Sequence, residues 1–154
     1  MILEHYSTEP LLEVNDAHQL DYLARSKPSG LWISIKGEYD WPKFCHAEEF
    51  HTDRLAVRNV ITLSEDANIL YLKSSKEIDS FTRQYRDKNP KYNDAENQVD
   101  HIEWFDLADE YQGIIIAPYQ WDRRLDMFAS WYYSWDCASG CIWNGNAVGS
   151  IAYD

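Results

Sequence analysis

The chain has 154 residues, 45% of them hydrophobic and 26% charged, enough for one domain that buries a core without disulfide or metal staples. Its 14 Lys and Arg against 26 Asp and Glu give a net charge of −12, which disfavours bulk binding of nucleic acid or of anionic membranes. No apolar run approaches a membrane span, and the N-terminal MILEHYSTEPLLEV lacks the basic start, apolar core and small-residue cleavage site of a signal peptide, so a soluble, cytoplasmic protein is expected.

In chain order, ILEHYS reads as a short strand, and residues 9–26 carry apolar positions at Leu11, Leu12, Val14, Ala17, Leu20, Leu23 and Ala24 with partly helical spacing. Pro28 and Gly30 then mark a turn into the β-rich GLWISI. Asp40 is placed to cap a helix beginning near Pro42, with Phe44, Ala47, Glu48, His51 and Leu55 at helical intervals. VRNVITLS and NILYLK alternate as strands do. SSKEIDSFTRQYRDK predicts a helix with Ser75 as N-cap and Ile78, Phe81, Thr82 and Tyr85 on one face. The polar stretch 87–100 predicts an exposed loop. HIEWFDLADEY predicts a helix ended by Gly113, and GIIIAPY a short buried strand stopped by Pro118. The aromatic closing region offers SGCIW as its best strand. Short strands with helices between and beside them indicate a single α+β or α/β domain over 1–154, without repeat or linker.

The 15% aromatic content exceeds what an ordinary core needs and points to a pocket or an interface, where a surface must be apolar and selective at once. The three cysteines, an odd number, read as free thiols. A Cys3His zinc set can be written from Cys45, His46, Cys137 and Cys141, but the tight two-knuckle spacing of a structural zinc site is missing, and buried packing thiols are the expectation; no metal is assigned. There is no G-x-S-x-G elbow, no G-x-G-x-x-G and no Walker sequence. Three pieces remain. In LEHYS, His5 closes an otherwise apolar strand and can both donate and accept. In GLWIS, Trp32 and Ser34 share one strand face and set a stacking ring beside a hydroxyl. In ADEYQGIII, a helix runs into a glycine and a buried strand.

Taken in this order, the pieces resemble the ADP-ribosyltransferase superfamily, in the style of a small phage- or prophage-type member. The resemblance implies a compact α+β domain in which two short twisted sheets form a split cleft for NAD, with helices on the outside. It implies that His5, from LEHYS, contacts the adenosine ribose and the nicotinamide amide, that Ser34 helps fix the ribose, and that Tyr6 and Trp32 hold the nicotinamide. The family's third motif supplies an acid, usually Glu, for the nicotinamide ribose. After Glu110 the chain has only Asp122, Asp126, Asp136 and Asp154, and Asp136, ahead of SGCIW and flanked by Trp135, takes that role. The implied activity is NAD-dependent transfer of ADP-ribose, with NAD as substrate, to a protein or small-molecule acceptor. A long nucleic acid would be an acceptor only if Arg83, Arg86, Arg123 and Arg124 focus positive charge at the cleft. The alternative reading is a non-catalytic, acidic, aromatic-rich interaction or inhibitor protein that binds a basic partner. The two separate on one point: the enzyme requires His5 and Asp136 to converge on one cleft.

Overall fold

The computed structural model describes residues 1–20, 24–37, 39–88 and 99–154. Seven strands are present among them: β1 Leu3–Ser7, β2 Leu31–Ile35, β3 Val57–Leu63, β4 Ile69–Leu72, β5 Gly113–Ile116, β6 Ser139–Ile142 and β7 Val148–Tyr153. They are joined by the helices α1 Trp41–Ala47, α2 Ser75–Tyr85 and α3 Trp104–Glu110. The domain is α+β, and the strands lie in the order β4-β5-β6-β2-β1-β3-β7, with only β4 and β5 parallel.

This corrects the expectation of two sheets, because β1 hydrogen-bonds both β2 and β3 and so ties the halves together. The tie is short. β1 pairs with β2 only at Leu3–Ile35 and Glu4–Ser34, whereas its pairing with β3 continues through His5–Asn59, Tyr6–Arg58 and Ser7–Val57. Beyond Glu4 and Ser34 the ladder between β1 and β2 stops, and it stops where His5, Tyr6 and Trp32 stand.

Several expected elements change at their ends. Residues 10–20 form no helix: Leu11 N–H donates to Asn59 Oδ1 at 2.9 Å and Ala17 N–H to the Trp143 carbonyl at 2.9 Å, so the backbone is held by distant partners instead of its own turns. The rest of that expectation, at residues 21–23, lies outside the described residues, as does most of the 87–100 stretch. Asp40 does cap α1, accepting from Lys43 N–H with Pro42 in the first turn, but the helix ends at Ala47. Glu49 and His51 take left-handed φ values of 51° and 49°, so His51 and Leu55 leave the helix face. The N-cap of α2 is Ser74, which accepts from Glu77 N–H, one residue before the expected Ser75; its buried face is the expected Ile78, Phe81, Thr82 and Tyr85.

The core runs from Leu3, Ile33 and Ile61 of the sheet through the fully buried β5 and β6 to Phe81, Trp104 and Leu107 of the helices. Gly30 opens β2 at φ +155°, and a Cβ there would lie 2.5 Å from the Ile142 carbonyl oxygen and 2.9 Å from Cys141 Sγ. Gly30→Ala is therefore expected to cost about 2 kcal/mol of stability, read as a lower urea midpoint at unchanged m-value, because backbone cannot yield as a flexible side chain would.

Candidate functional site

A cavity of about 430 Å³ opens where the β1–β2 ladder ends. Its walls include His5 and Tyr6 from β1, Trp32 and Ser34 from β2, and Trp135 and Asp136 from the segment entering β6. All six residues singled out in the sequence therefore line one chamber.

His5 bridges the gap left by the ladder. Its Nδ1 lies 2.7 Å from the Trp32 carbonyl oxygen, which can only accept, so Nδ1 carries the proton and a neutral ring presents Nε2 as an acceptor. Ser34 is 4% exposed and its Oγ accepts from Trp41 N–H at 2.8 Å, tying β2 to the first turn of α1 while leaving the hydroxyl proton to donate. Trp32 and Trp135 meet edge to face with centroids 4.8 Å apart, and the Lys27 ammonium stands 5.4 Å over the Trp32 ring. Trp135 is buried and its indole N–H donates to the Ser26 carbonyl at 3.2 Å, which fixes the ring as a wall.

Asp136 follows directly. Burial raises its carboxyl above the ordinary aspartate range, Lys27 and Arg124 oppose that rise, and Glu48 adds to it. Tyr6 is pushed up to about 12, first by burial and then by the charge and hydrogen bond of Glu4, so it remains a protonated donor.

Glu4 is the acid that sequence reasoning overlooked. It is 2% exposed, lines the cavity, and forms an ion pair with Arg58. The search for an acid went forward from Glu110, yet strand alternation puts Glu4 beside Tyr6 on one face of β1, and that period was the available signal. Lys27, His51 and Arg54 also line the cavity, and no motif or strand phrase of the sequence marks them. The basic candidates Arg83, Arg86, Arg123 and Arg124 do not line it. Arg123 instead makes a two-pronged ion pair with Asp79 at 2.8 and 2.9 Å.

Cys45 and Cys137 pack with Phe44 in a small apolar cluster, and Cys141 is buried in β6. Burial raises all three thiols, Cys137 to about 12, so they stay protonated near neutral pH. Among the described residues no group of three or more His, Cys, Asp or Glu is arranged to hold a metal ion.

The chamber thus offers an aromatic wall, a histidine held in one orientation, a buried hydroxyl, and a carboxylate with cations nearby. Such a set can hold a planar ring and a sugar and can offset positive charge that develops beside Asp136. Searches against protein-family models, curated proteins and solved structures find no match to this chain.

Proposed function

We propose that this cavity binds NAD and that the chain transfers its ADP-ribose to an acceptor. The observation that carries the reading is the convergence of His5 and Asp136, 131 positions apart in the sequence by subtraction of their numbers, on a single chamber that also holds Trp32 and Ser34. In this reading the nicotinamide lies against Trp32 and Tyr6. His5 Nε2 accepts from the nicotinamide amide or a ribose hydroxyl, and Ser34 donates to the ribose. As the bond from the anomeric carbon to the nicotinamide nitrogen breaks, its electron pair leaves with the ring and cancels the pyridinium charge. The sugar becomes cationic, and the Asp136 carboxylate stabilises it. The acceptor then attacks the anomeric carbon and releases its proton. Asp136 suits this role better than Glu4, whose carboxylate is already committed to Arg58 and Tyr6. Lys27 and Arg54 supply positive charge for the diphosphate.

Calorimetric titration with NAD tests the binding half. His5→Ala is expected to weaken NAD binding roughly tenfold, the worth of one oriented hydrogen bond, and to lower the melting temperature by about 2–4 °C because the bond to the Trp32 carbonyl is lost as well. Equal affinity in the two proteins would remove His5 from the site.

A second reading is supported by a separate surface. Trp121, Leu125, Met127 and Tyr133 are 56%, 80%, 60% and 57% exposed on one stretch of chain, and the net charge is −12. A non-catalytic protein that docks a basic partner through this face needs no NAD and predicts no nicotinamide release.

A further inference from the structure

The cavity has a second group of aromatic rings, apart from the pair Trp32 and Trp135. Trp41, Phe50 and His51 line it, with Arg54 beside them. Ser34 stands between the two groups: it lies two residues from Trp32 on one face of β2, about 7 Å along a strand, and its Oγ accepts from Trp41 N–H at 2.8 Å. The second group is continuous. Trp41 and Phe50 meet edge to face with centroids 6.2 Å apart, and the His51 ring centre lies 3.8 Å from that of Phe50.

The end of α1 holds these rings at the cavity. Phe50 N–H donates back to the Cys45 carbonyl at 2.9 Å across the left-handed Glu49, and the Phe50 ring packs on Phe44 with centroids 6.4 Å apart. These are the hydrogen bond and the apolar contact of a Schellman cap, with glutamate where glycine is the usual occupant. His51, left-handed as well, then leads into the 3-10 turn Thr52–Arg54. Left-handed residues other than glycine persist where their surroundings over-determine them, and they gather at ligand clamps. The two fix Phe50 from both sides, yet its side chain is left 43% exposed. A ring already ordered and half bare at a cavity can stack a ligand with little further loss of freedom.

Arg54 adds the charge. Arg58 and Arg123 are committed to carboxylates, whereas Arg54 forms no ion pair with any described residue. Its planar fork fits two phosphate oxygens at once.

We propose that Trp41, Phe50, His51 and Arg54 form a nucleotide subsite, in which a nucleobase stacks on Phe50 beside Trp41 and its 5′-phosphate rests on Arg54. The His51 imidazole, able to donate and to accept, meets the polar edge of the base. In the transferase reading this nucleotide is the adenylate half of NAD, because one chamber holds both groups of rings. That assignment rests on that reading; the subsite itself does not.

The test is calorimetric titration with AMP and with ribose 5-phosphate, followed in parallel by amide NMR. AMP is expected to bind at least roughly tenfold more tightly, because its base stacks, and to move the signals of residues 41, 50, 51 and 54. Phe50→Leu keeps an apolar contact with Phe44 and removes the aromatic face, so it is expected to weaken AMP roughly fivefold and to leave ribose 5-phosphate unchanged. Arg54→Gln is expected to weaken both roughly tenfold. Phe105→Leu, at a comparably exposed ring of α3 outside the cavity, should change neither. Equal affinity for AMP and ribose 5-phosphate, or equal effects of Phe50→Leu and Phe105→Leu, would overturn the subsite. Competition between AMP and NAD would support it as the adenylate end of NAD, and AMP binding to NAD-saturated protein would support it as the place of a nucleotide acceptor. A chain that binds AMP here but never releases nicotinamide fails the transferase reading alone. One that releases nicotinamide while AMP leaves these signals unmoved fails this inference alone.

Discussion

Asp136→Asn is expected to reduce nicotinamide release from NAD by about 100-fold or more, the scale of losing one preorganised electrostatic stabiliser of a transition state. The neutral amide keeps the size of the side chain and removes the charge that would meet the sugar cation. The loss is expected in kcat, with KM for NAD little changed, because the interaction forms only as the bond breaks. The wild-type pH profile carries the same signature. Burial raises the Asp136 carboxyl, so its ionised, working form is lost as pH falls through a value above the ordinary aspartate range. The stability effect runs the other way. A carboxyl whose folded-state pKa is raised makes the folded protein less stable as pH climbs through that value, and Asn escapes the penalty. Asp136→Asn should therefore melt no lower than wild type at neutral pH, which separates lost chemistry from lost fold. A Glu at this position, longer by one methylene, is expected to retain part of the activity.

The largest structural effect is expected from Trp131→Ala. Trp131 is fully buried, and its ring lies 5.4 Å from Phe81 and 6.0 Å from both Trp104 and Trp135. Its indole N–H donates to Thr82 Oγ1 at 2.9 Å, while Thr82 itself donates to the Ile78 carbonyl, so the ring fastens the closing segment to α2. Truncation removes the apolar area and leaves a cavity that rigid neighbours cannot fill, at about 3–5 kcal/mol. For a domain of ordinary stability, about 5–15 kcal/mol, that is a large fraction of the total. Urea unfolding should show a much lower midpoint, with Trp131→Phe falling between. The consequence reaches the site, because Trp135 packs between Trp131 and the cavity ring Trp32. Phe81, Trp104, Trp131, Trp135 and Trp32 thus form a continuous chain of rings from the core to the cavity wall.

The parts of the fold that sequence reasoning found are those where a local rule and the tertiary context agree. Asp40 caps α1, the face Ile78-Phe81-Thr82-Tyr85 is the buried side of α2, and GIII is a fully buried strand. It failed where distant partners override local preference. Residues 10–20 show partly helical spacing, yet Asn59 and Trp143 draw their backbone into an irregular path. β7 was not anticipated, since Val148–Tyr153 lies at a sheet edge with four of its six residues exposed, and edge strands lack the apolar alternation that announces a strand. The six candidate residues line one chamber: His5, Tyr6, Trp32 and Ser34 stand in phrases that β1 and β2 keep as strands, whereas Trp135 and Asp136 lie between a 3-10 turn and β6 and were singled out through the resemblance. Glu4 was not, because its meaning depends on Arg58, 54 positions away.

The most direct measurement is nicotinamide release by the purified wild-type chain incubated with NAD, followed by chromatography beside Asp136→Asn. The account predicts time-dependent release by wild type, reduced about 100-fold or more in the variant, and a rise in wild-type melting temperature with NAD concentration. A folded wild-type protein that neither releases nicotinamide nor gains thermal stability from NAD would contradict it.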